Sequence, residues 1–566
     1  MIFKPIFALL LMFTVASGSN AQPAIAVQPE FSVVEASFAN MQAAMANGDI
    51  TSREIVAMYL ERIERYEDTL HATLAVNPNA LAEAEALDKE RAAGKIRGPL
   101  HGIPVALKDN IHTISMPTTG GALAFEGYTP PYEATLVKNL RDAGAVIIAK
   151  TTLTELANWV ATGMPNSYNA VRGYGYNPYD PRHDPRNGFD DGRAVLDTGG
   201  SSSGIGTAAN FWAANIGTET SGSIEIPANN NMLAAIKPTV GRVSRHGIIP
   251  ITADQDTAGA MAKYVADAAV LLAAMESVDE NDEATGICAP PGDGDYSSHL
   301  RKNALKGARI GVPRAYYYEP TTPPGSPEPV GGLTAQESQA MAKAIEVLRA
   351  QGAIIVDPAN IPSVVAEAAA DNQLLFQNCF DLPQGKGGDQ NCSVVMKYGM
   401  KRDFNKWLDS LGDTAPVASL TALREFNLAN SDRNAILYGQ AQLDISDEMD
   451  VKADRARWRA DRDKDIRLSR TEGIDAALEK YRLDALLMPS WKGENILNKA
   501  GYPAVSVPFS RVSTTLDPPL PGNFDLKPMP FGITFLGTAC SEGRLIELAY
   551  SFEQATLARR APPLFP

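Results

Sequence analysis

Cysteine is scarce in this chain: Cys288, Cys379, Cys392 and Cys540 are the four among 566 residues, and no two of them form a C-x-x-C. Without that spacing, or the paired Cys/His spacing of a zinc finger, a structural zinc site is not expected. Histidine is almost as sparse, with six residues. No basic run offsets a formal net charge of -15. A nucleic-acid partner needs clustered Lys and Arg for its phosphates, so that class is set aside. After the N-terminal stretch no apolar run is long enough to span a bilayer, which argues against stable membrane insertion.

What the N-terminus does have is Lys4, an apolar run from Ile6 to Ala16, and small residues ending in Ser19-Asn20-Ala21. A charged start, a short apolar core and a small-x-small site are the layout of a secretory signal peptide. Residues 1–21 are therefore expected to be removed, leaving 22–566 as a periplasmic or secreted protein. In an oxidising compartment Cys379 and Cys392, separated by a Pro/Gly/Asp-rich loop, are candidates for a local disulfide, with two free thiols as the alternative.

A composition of 45% hydrophobic and 21% charged residues is that of an ordinary globular protein. Thr51-Ser52-Arg53-Glu54 reads as a capping box opening a helix with Ile55, Val56, Tyr59, Leu60 and Ile63 on one face. Continuous apolar runs follow at 102–109, 145–150, 308–312, 353–356, 483–488 and 505–508. Several alternate with helical patterns, among them 133–144, the stretch opened at Thr151, and a helix after the capping box at Thr334. Buried strands alternating with helices are the rhythm of a parallel sheet and predict one large α/β domain. The stretch 165–196, rich in Asn, Gly, Pro and Asp, reads as a long surface loop.

The most informative stretch runs from Asp197 to Asn230. Two serine-glycine turns, Gly199-Gly200-Ser201-Ser202-Ser203-Gly204 and Ser221-Gly222-Ser223, flank a small-residue segment, 205–215, that reads as one buried helix. Such turns bare backbone N–H groups able to hold an oxyanion, and their serines are candidate nucleophiles. Gly-x-Ser-x-Gly around Ser202 fits a nucleophile elbow, for which only His246 and His299 follow in the required order. A lysine base is the other possibility, provided burial lowers its pKa. Lys108, closing the apolar run 102–109, is available, whereas no Ser-x-x-Lys occurs.

Taken in order, Gly-Ile-Pro-Val-Ala-Leu-Lys-Asp-Asn at 102–110, the glycine-serine run at 199–204, Gly-Thr-Glu-Thr-Ser-Gly-Ser-Ile at 217–224, Lys237-Pro238-Thr239 and Asp256-Thr257-Ala258-Gly259 resemble the amidase signature family. The Thr-Glu-Thr before Ser223 is most similar to its peptide amidase branch. The resemblance is strong over a core from about 35 to 275, thin through a region from about 280 to 480 where the substrate pocket would vary, and visible again in a closing segment from about 480 to 566.

The resemblance implies a triad in which Ser223 is the nucleophile, Ser201 the bridging cis-serine after Gly200, and Lys108 the base. Thr220, Ser221, Gly222 and Ser223 would supply oxyanion N–H groups, Ser202 would support the network, and no metal or cofactor is required. It departs from the family in a shortened Ser201-to-Ser223 spacing, in Glu225 where many members carry arginine, and in the length of 165–196. The resemblance further implies an α/β fold with a twisted mixed sheet sandwiched by helices, and the expected protein is an exported hydrolase of small-molecule carboxylic amides, acting on peptide C-terminal amides or aryl/alkyl amides, monomeric or homodimeric. An esterase or carbamate hydrolase on the same triad, and an amidotransferase subunit in a tRNA-charging complex, are the alternatives. Phe125, Tyr168, Phe376 and Trp491 are candidates for an apolar acyl pocket. Export makes a direct prediction: the mass of protein recovered from its native host should correspond to a chain beginning at Gln22, and an intact Met1 terminus would contradict the signal peptide.

Overall fold

Eleven strands among the described residues form one sheet. They are β1 (Thr73–Val76), β2 (Pro104–Lys108), β3 (Val146–Thr151), β4 (Ala214–Glu219), β5 (Ala234–Lys237), β6 (Thr257–Ala262), β7 (Arg309–Gly311), β8 (Ile354–Val356), β9 (Ala485–Pro489), β10 (Ala504–Val512) and β11 (Met529–Leu536). The order across the sheet is β1-β3-β2-β4-β6-β5-β10-β11-β9-β7-β8. β3, β2 and β4 run parallel at one side and β9, β7 and β8 at the other, with antiparallel pairings between these groups. The computed structural model describes residues 31–200, 203–292, 294–380 and 385–566. The signal-peptide reading and the roles of Ser201 and Ser202 thus concern residues outside those described.

Every residue of β2, β3, β4, β5, β6 and β9 is buried, the environment that continuous apolar runs require. Helices flank the sheet. Val265–Met275 packs on β5 and β6, and Glu542–Thr556 on β10, so the segment before the middle of the chain and its last helix share one core. The helix Ser52–Leu70 starts as read: Thr51 Oγ1 accepts from Glu54 N at 3.2 Å, and Glu54 Oε2 accepts from Thr51 N at 2.8 Å. Among the described residues no helix is long and apolar enough to cross a membrane.

Three local readings are corrected. The segment 205–215 is not one helix: Ile205–Ala208 makes a single turn, Asn210 takes φ 58°, and the chain re-enters the sheet as β4. The Trp212 ring fills the space beside Gly206, where a Cβ would lie 2.2 Å from it. Similarly, β3 runs through Thr151, and a tight turn with left-handed Leu156, Ala157 and Asn158 takes the place of a helix after it. The irregular stretch 165–196 is a surface loop only in part: 175–180 is buried throughout, with side chains that satisfy nearby backbone, whereas most of its exposed residues fall in 183–191. Asn177 Nδ2 donates to Asp197 O at 2.8 Å and Asn230 O at 2.9 Å, and Asn169 Nδ2 to Leu153 O at 3.0 Å.

Both cysteine pairs are bonded. Cys379 joins Cys392, with Cα atoms 5.1 Å apart, and Cys288 joins Cys540 at 5.4 Å across 252 residues of chain. The second bridge had no local signal, since its partners meet only once the sheet is formed. It ties the irregular segment after β6 to the turn before the final helix. Because closing a long loop restricts the unfolded chain most, the double variant Cys288→Ala/Cys540→Ala should lose about 2–4 kcal/mol in denaturant unfolding; an unchanged midpoint would contradict that contribution.

Candidate active site

β2 lies between β3 and β4, parallel to both. Lys108 is its last residue, so the lysine emerges at the carboxyl end of parallel strands, where open α/β sheets build their sites. Leu107 pairs with Ile216, which brings Thr218 alongside. Lys108 Nζ donates to Thr218 O at 3.1 Å and to Thr218 Oγ1 at 2.8 Å, and Asn110 Nδ2 donates to the same hydroxyl at 3.0 Å. The lysine is 0% exposed, and burial pulls its pKa down to about 7 against the opposing pull of the Asp256 and Glu219 carboxylates. Asp256 is itself pushed up to about 7 by burial, although it accepts from Thr220 Oγ1 at 2.5 Å, Ile251 N at 2.9 Å and Thr252 N at 3.0 Å.

Past β4 the chain reverses at Gly222, where φ is 87° and a Cβ would lie 2.5 Å from Ile226 Cδ1. Ser223 follows directly, buried just ahead of the short helix Glu225–Asn230. The other serine-glycine turn meets it there. Gly199, at φ 90°, lies so close to the backbone of Pro227 that a Cβ would be 2.4 Å from its nitrogen. A methyl group on Gly200 would sit 3.7 Å from Ser223 Oγ. Thus of the residues singled out from sequence, Gly200, Thr220, Ser221, Gly222 and Ser223 come together, with Lys108 held on Thr218 of the strand that leads into the turn.

A carboxylate that the sequence reading noticed only as a neighbour fixes this turn from behind. Glu219 Oε2 accepts from Ile224 N at 2.6 Å and Glu225 N at 2.9 Å, while its Oε1 accepts from Asn498 Nδ2 at 2.8 Å. Glu225 is 2% exposed and its Oε2 has no hydrogen-bond partner among the described residues. Burial, with Glu219 beside it, holds the Glu225 carboxyl well above the usual range, and the nearby Lys237 only partly opposes this. Burial and the neighbouring Glu219 thus both favour the protonated form of Glu225.

Ser223, Ser221, Thr220 and Gly200 line a cleft of about 120 Å³ whose apolar wall includes Trp159, Ile251, Phe380 and Met396. None of Phe125, Tyr168, Phe376 or Trp491 lines it. Phe125 and Tyr168 belong to a second core with Trp407 and Phe404, and the Phe376 ring packs under Lys464 and Lys499. Trp159 escaped the sequence reading because the left-handed turn that delivers it was read as helix. Of the long stretch 165–196, Asn166 reaches the cleft. His246 stacks on Tyr132 at 4.8 Å in a separate cavity of about 570 Å³ that touches Thr218 and Thr220 but not Ser223. His299 bonds Glu547 at 3.0 Å. No described histidine lines the Ser223 cleft, and no group of His, Cys, Asp or Glu among the described residues is arranged to hold a metal ion.

A buried lysine thus closes one central strand, and a glycine-shaped serine turn follows the strand paired with it. Residues 54–370 match the family model described as Amidase, and the chain belongs to that family, the amidase signature family; it is an amide-hydrolysing enzyme. It is 31% identical to a probable amidase of Arabidopsis thaliana over 98% of this chain and 95% of that protein. The solved peptide amidase from Stenotrophomonas maltophilia superposes with a TM-score of 0.77 at 36% identity, covering 93% of this chain and 98% of the other. A glutamyl-tRNA(Gln) amidotransferase subunit of Synechococcus sp. (strain WH7803) is 29% identical over 92% of this chain and 97% of its own.

The protonated Glu225 predicts a pH effect on stability. Its folded pKa lies above the unfolded value, so between the two the folded state binds the extra proton and stability falls as pH rises. Glu225→Gln removes that dependence. In thermal melts the variant should therefore gain on the wild type between pH 5 and pH 8; a constant difference would show that Glu225 is ionised in the folded protein.

Proposed function

We propose that the protein is an exported hydrolase of carboxylic amides, peptide C-terminal amides foremost, working through Lys108, Ser201 and Ser223 and a seryl acyl-enzyme. The observation that carries this reading is the bonding of Lys108. A neutral lysine amine has two N–H groups and one lone pair. Thr218 O and Oγ1 lie at 3.1 and 2.8 Å to receive both N–H groups, which leaves the lone pair for a serine proton. Burial favours that neutral form near pH 7.

In the proposed reaction Lys108 takes the proton of Ser201 while Ser201 takes that of Ser223, whose Oγ attacks the carbonyl carbon. N–H groups of Thr220, Ser221, Gly222 and Ser223 receive the oxyanion. The relay then returns its proton to the departing amine, and water hydrolyses the ester. The contact of Gly200 with Ser223 supports the pairing of the two serine turns, and the fixed geometry of Glu219 on the following N–H groups supports a preorganised nucleophile. An ester or carbamate would satisfy the same relay.

The two disulfides favour an oxidising compartment, and so support export. The relatives that are amidotransferase subunits favour a second reading, hydrolysis of glutamine within a complex; recovery of the native protein with stoichiometric partner subunits would establish it.

The triad is tested by substitution and pH. Ser223→Ala should abolish acyl-enzyme formation, and Lys108→Ala and Ser201→Ala should each lower kcat by a factor on the order of 10³ or more, because such groups act as a unit. Ser202→Ala should cost less. Since Lys108 is the base only when deprotonated, kcat/KM should rise with pH through about 7 to a plateau. An active Lys108→Ala protein with an inert Ser202→Ala protein would overturn the triad in favour of the nucleophile elbow.

A further inference from the structure

The cleft at Ser223 has a wall that does not come from the sheet. Trp159 is buried, and its Nε1 donates to Ser446 Oγ at 2.9 Å, so its indole is fixed in plane and position. Phe380 meets it edge-on, ring centroids 5.0 Å apart at 62°, yet Phe380 is 41% exposed. An aromatic ring half out of the core, packed on a locked tryptophan and lining a nucleophile's cleft, presents apolar surface to whatever enters.

Phe380 is held there by an unusual set of ties. Its neighbour Cys379 is 1% exposed and bonded to Cys392. Around the bridge, Cys379 N donates to Ser393 O at 3.1 Å and Ser393 N to Gln377 O at 2.8 Å. The Cys392 side is anchored in turn: Arg457 Nη2 donates to Cys392 O at 3.1 Å, Ser393 Oγ to Asp465 Oδ2 at 2.6 Å, and Val394 N to Asp461 Oδ2 at 3.0 Å. The helix Val395–Ser410 starts at the next residue and puts Met396 into the same cleft. The disulfide therefore couples two pieces of the cleft wall, Phe380 and Met396, to one buried anchor.

We propose that Phe380, fixed against Trp159 by the Cys379–Cys392 disulfide, is a specificity-determining residue that selects amides whose acyl residue carries a large apolar side chain next to the scissile carbonyl. The assignment to the acyl side rests on the function proposed above: when the leaving group is ammonia, the acyl part alone has a side chain to offer the wall. The disulfide keeps the wall in place, because without it Cys379 and its neighbour Phe380 are tied to the anchor, among the described residues, only by the backbone hydrogen bonds of Cys379 and Gln377 with Ser393 and of Phe380 within its own turn.

The test compares N-acetyl-phenylalanine amide with N-acetyl-glycine amide. In Phe380→Ala, KM for the phenylalanine amide should rise about ten-fold or more, the worth of an apolar contact in a specificity pocket, with kcat little changed and the glycine amide turned over as by wild type. Phe380→Leu should recover most of the selectivity. Cys379→Ala/Cys392→Ala, which leaves the Cys288–Cys540 bridge intact, should lose selectivity in the same direction. Equal losses on both substrates, or unchanged KM for the phenylalanine amide in Phe380→Ala, would overturn the role of Phe380; wild-type selectivity in the cysteine variant would overturn that of the disulfide. Failure of the underlying reading shows itself separately, as glycine-amide hydrolysis that survives Ser223→Ala.

Discussion

An ammonium group buried without a carboxylate beside it is the constraint on which this site depends. Of the six lysines buried among the described residues, three are compensated by a carboxylate, Lys150 with Asp109 at 2.8 Å, Lys397 with Asp389 at 2.6 Å and Lys499 with Asp465 at 2.7 Å, while Lys237 and Lys263 bond the neutral oxygens of Tyr502 and Asn210. Lys108 has neutral oxygens of Thr218 as its bonded partners among the described residues. Desolvating a charge costs several kcal/mol when no paired ion offsets it, so the fold accommodates the neutral amine more readily than the ammonium. Such a lysine is ready to accept a proton at neutral pH. Its position follows from the sheet: β2 is flanked by β3 and β4 and buried along its whole length, which withdraws the side chain at its end from solvent.

The second half of the site answers a different problem, that of holding a serine in a sharp turn. Gly222 and Gly199 give positive φ and allow backbone contact that any side chain would block. Glu219 then fixes the first N–H groups beyond the turn. Glu219 accepts two backbone N–H bonds and one from Asn498, while Glu225, buried beside it with Oε2 lacking a partner among the described residues, has its pKa raised by that burial and by Glu219.

How far this was readable from sequence varied with the range of the interaction responsible. Capping boxes at Thr51 and Thr334, the apolar runs that became β2, β3, β7, β8, β9 and β10, and the placement of Lys108 at a strand end follow from local pattern, and the structure has them, although β8, at the edge of the sheet, is not buried. The ordered motifs carried the family and the mixed α/β sheet. The segment 205–215 misled because alanine and glycine suit a buried helix and a central strand alike; what decided was the Asn210 reversal and the ring of Trp212 on Gly206. The cleft wall was illegible for the same reason as the Cys288–Cys540 bridge. Trp159, Phe380 and Met396 come from distant segments, and no spacing announces that they share a cavity.

The chemistry and the recognition surface thus have separate structural origins. The sheet edge supplies Lys108, Thr218 and the serine turns, all within the large continuous core, whereas the helices Val395–Ser410, Leu420–Ala429 and Ala441–Asp447 pack in a second core around Phe125, Trp159 and Trp407. That division has an electrostatic consequence for the lysine. The cavity of about 570 Å³ lined by Tyr132, His246 and Trp407 reaches as far as Asn110, Thr218 and Asp256. Lys108 nevertheless has 0% exposure. Asn110 and Thr218, hydrogen-bonded to each other at 3.0 Å, therefore form the partition between that space and the amine. Because desolvation is the largest influence on the lysine, water passing the partition would raise its pKa and leave it protonated at neutral pH, with no lone pair to take a proton from serine. The second core can vary its walls to suit a substrate only so long as this pair stays closed.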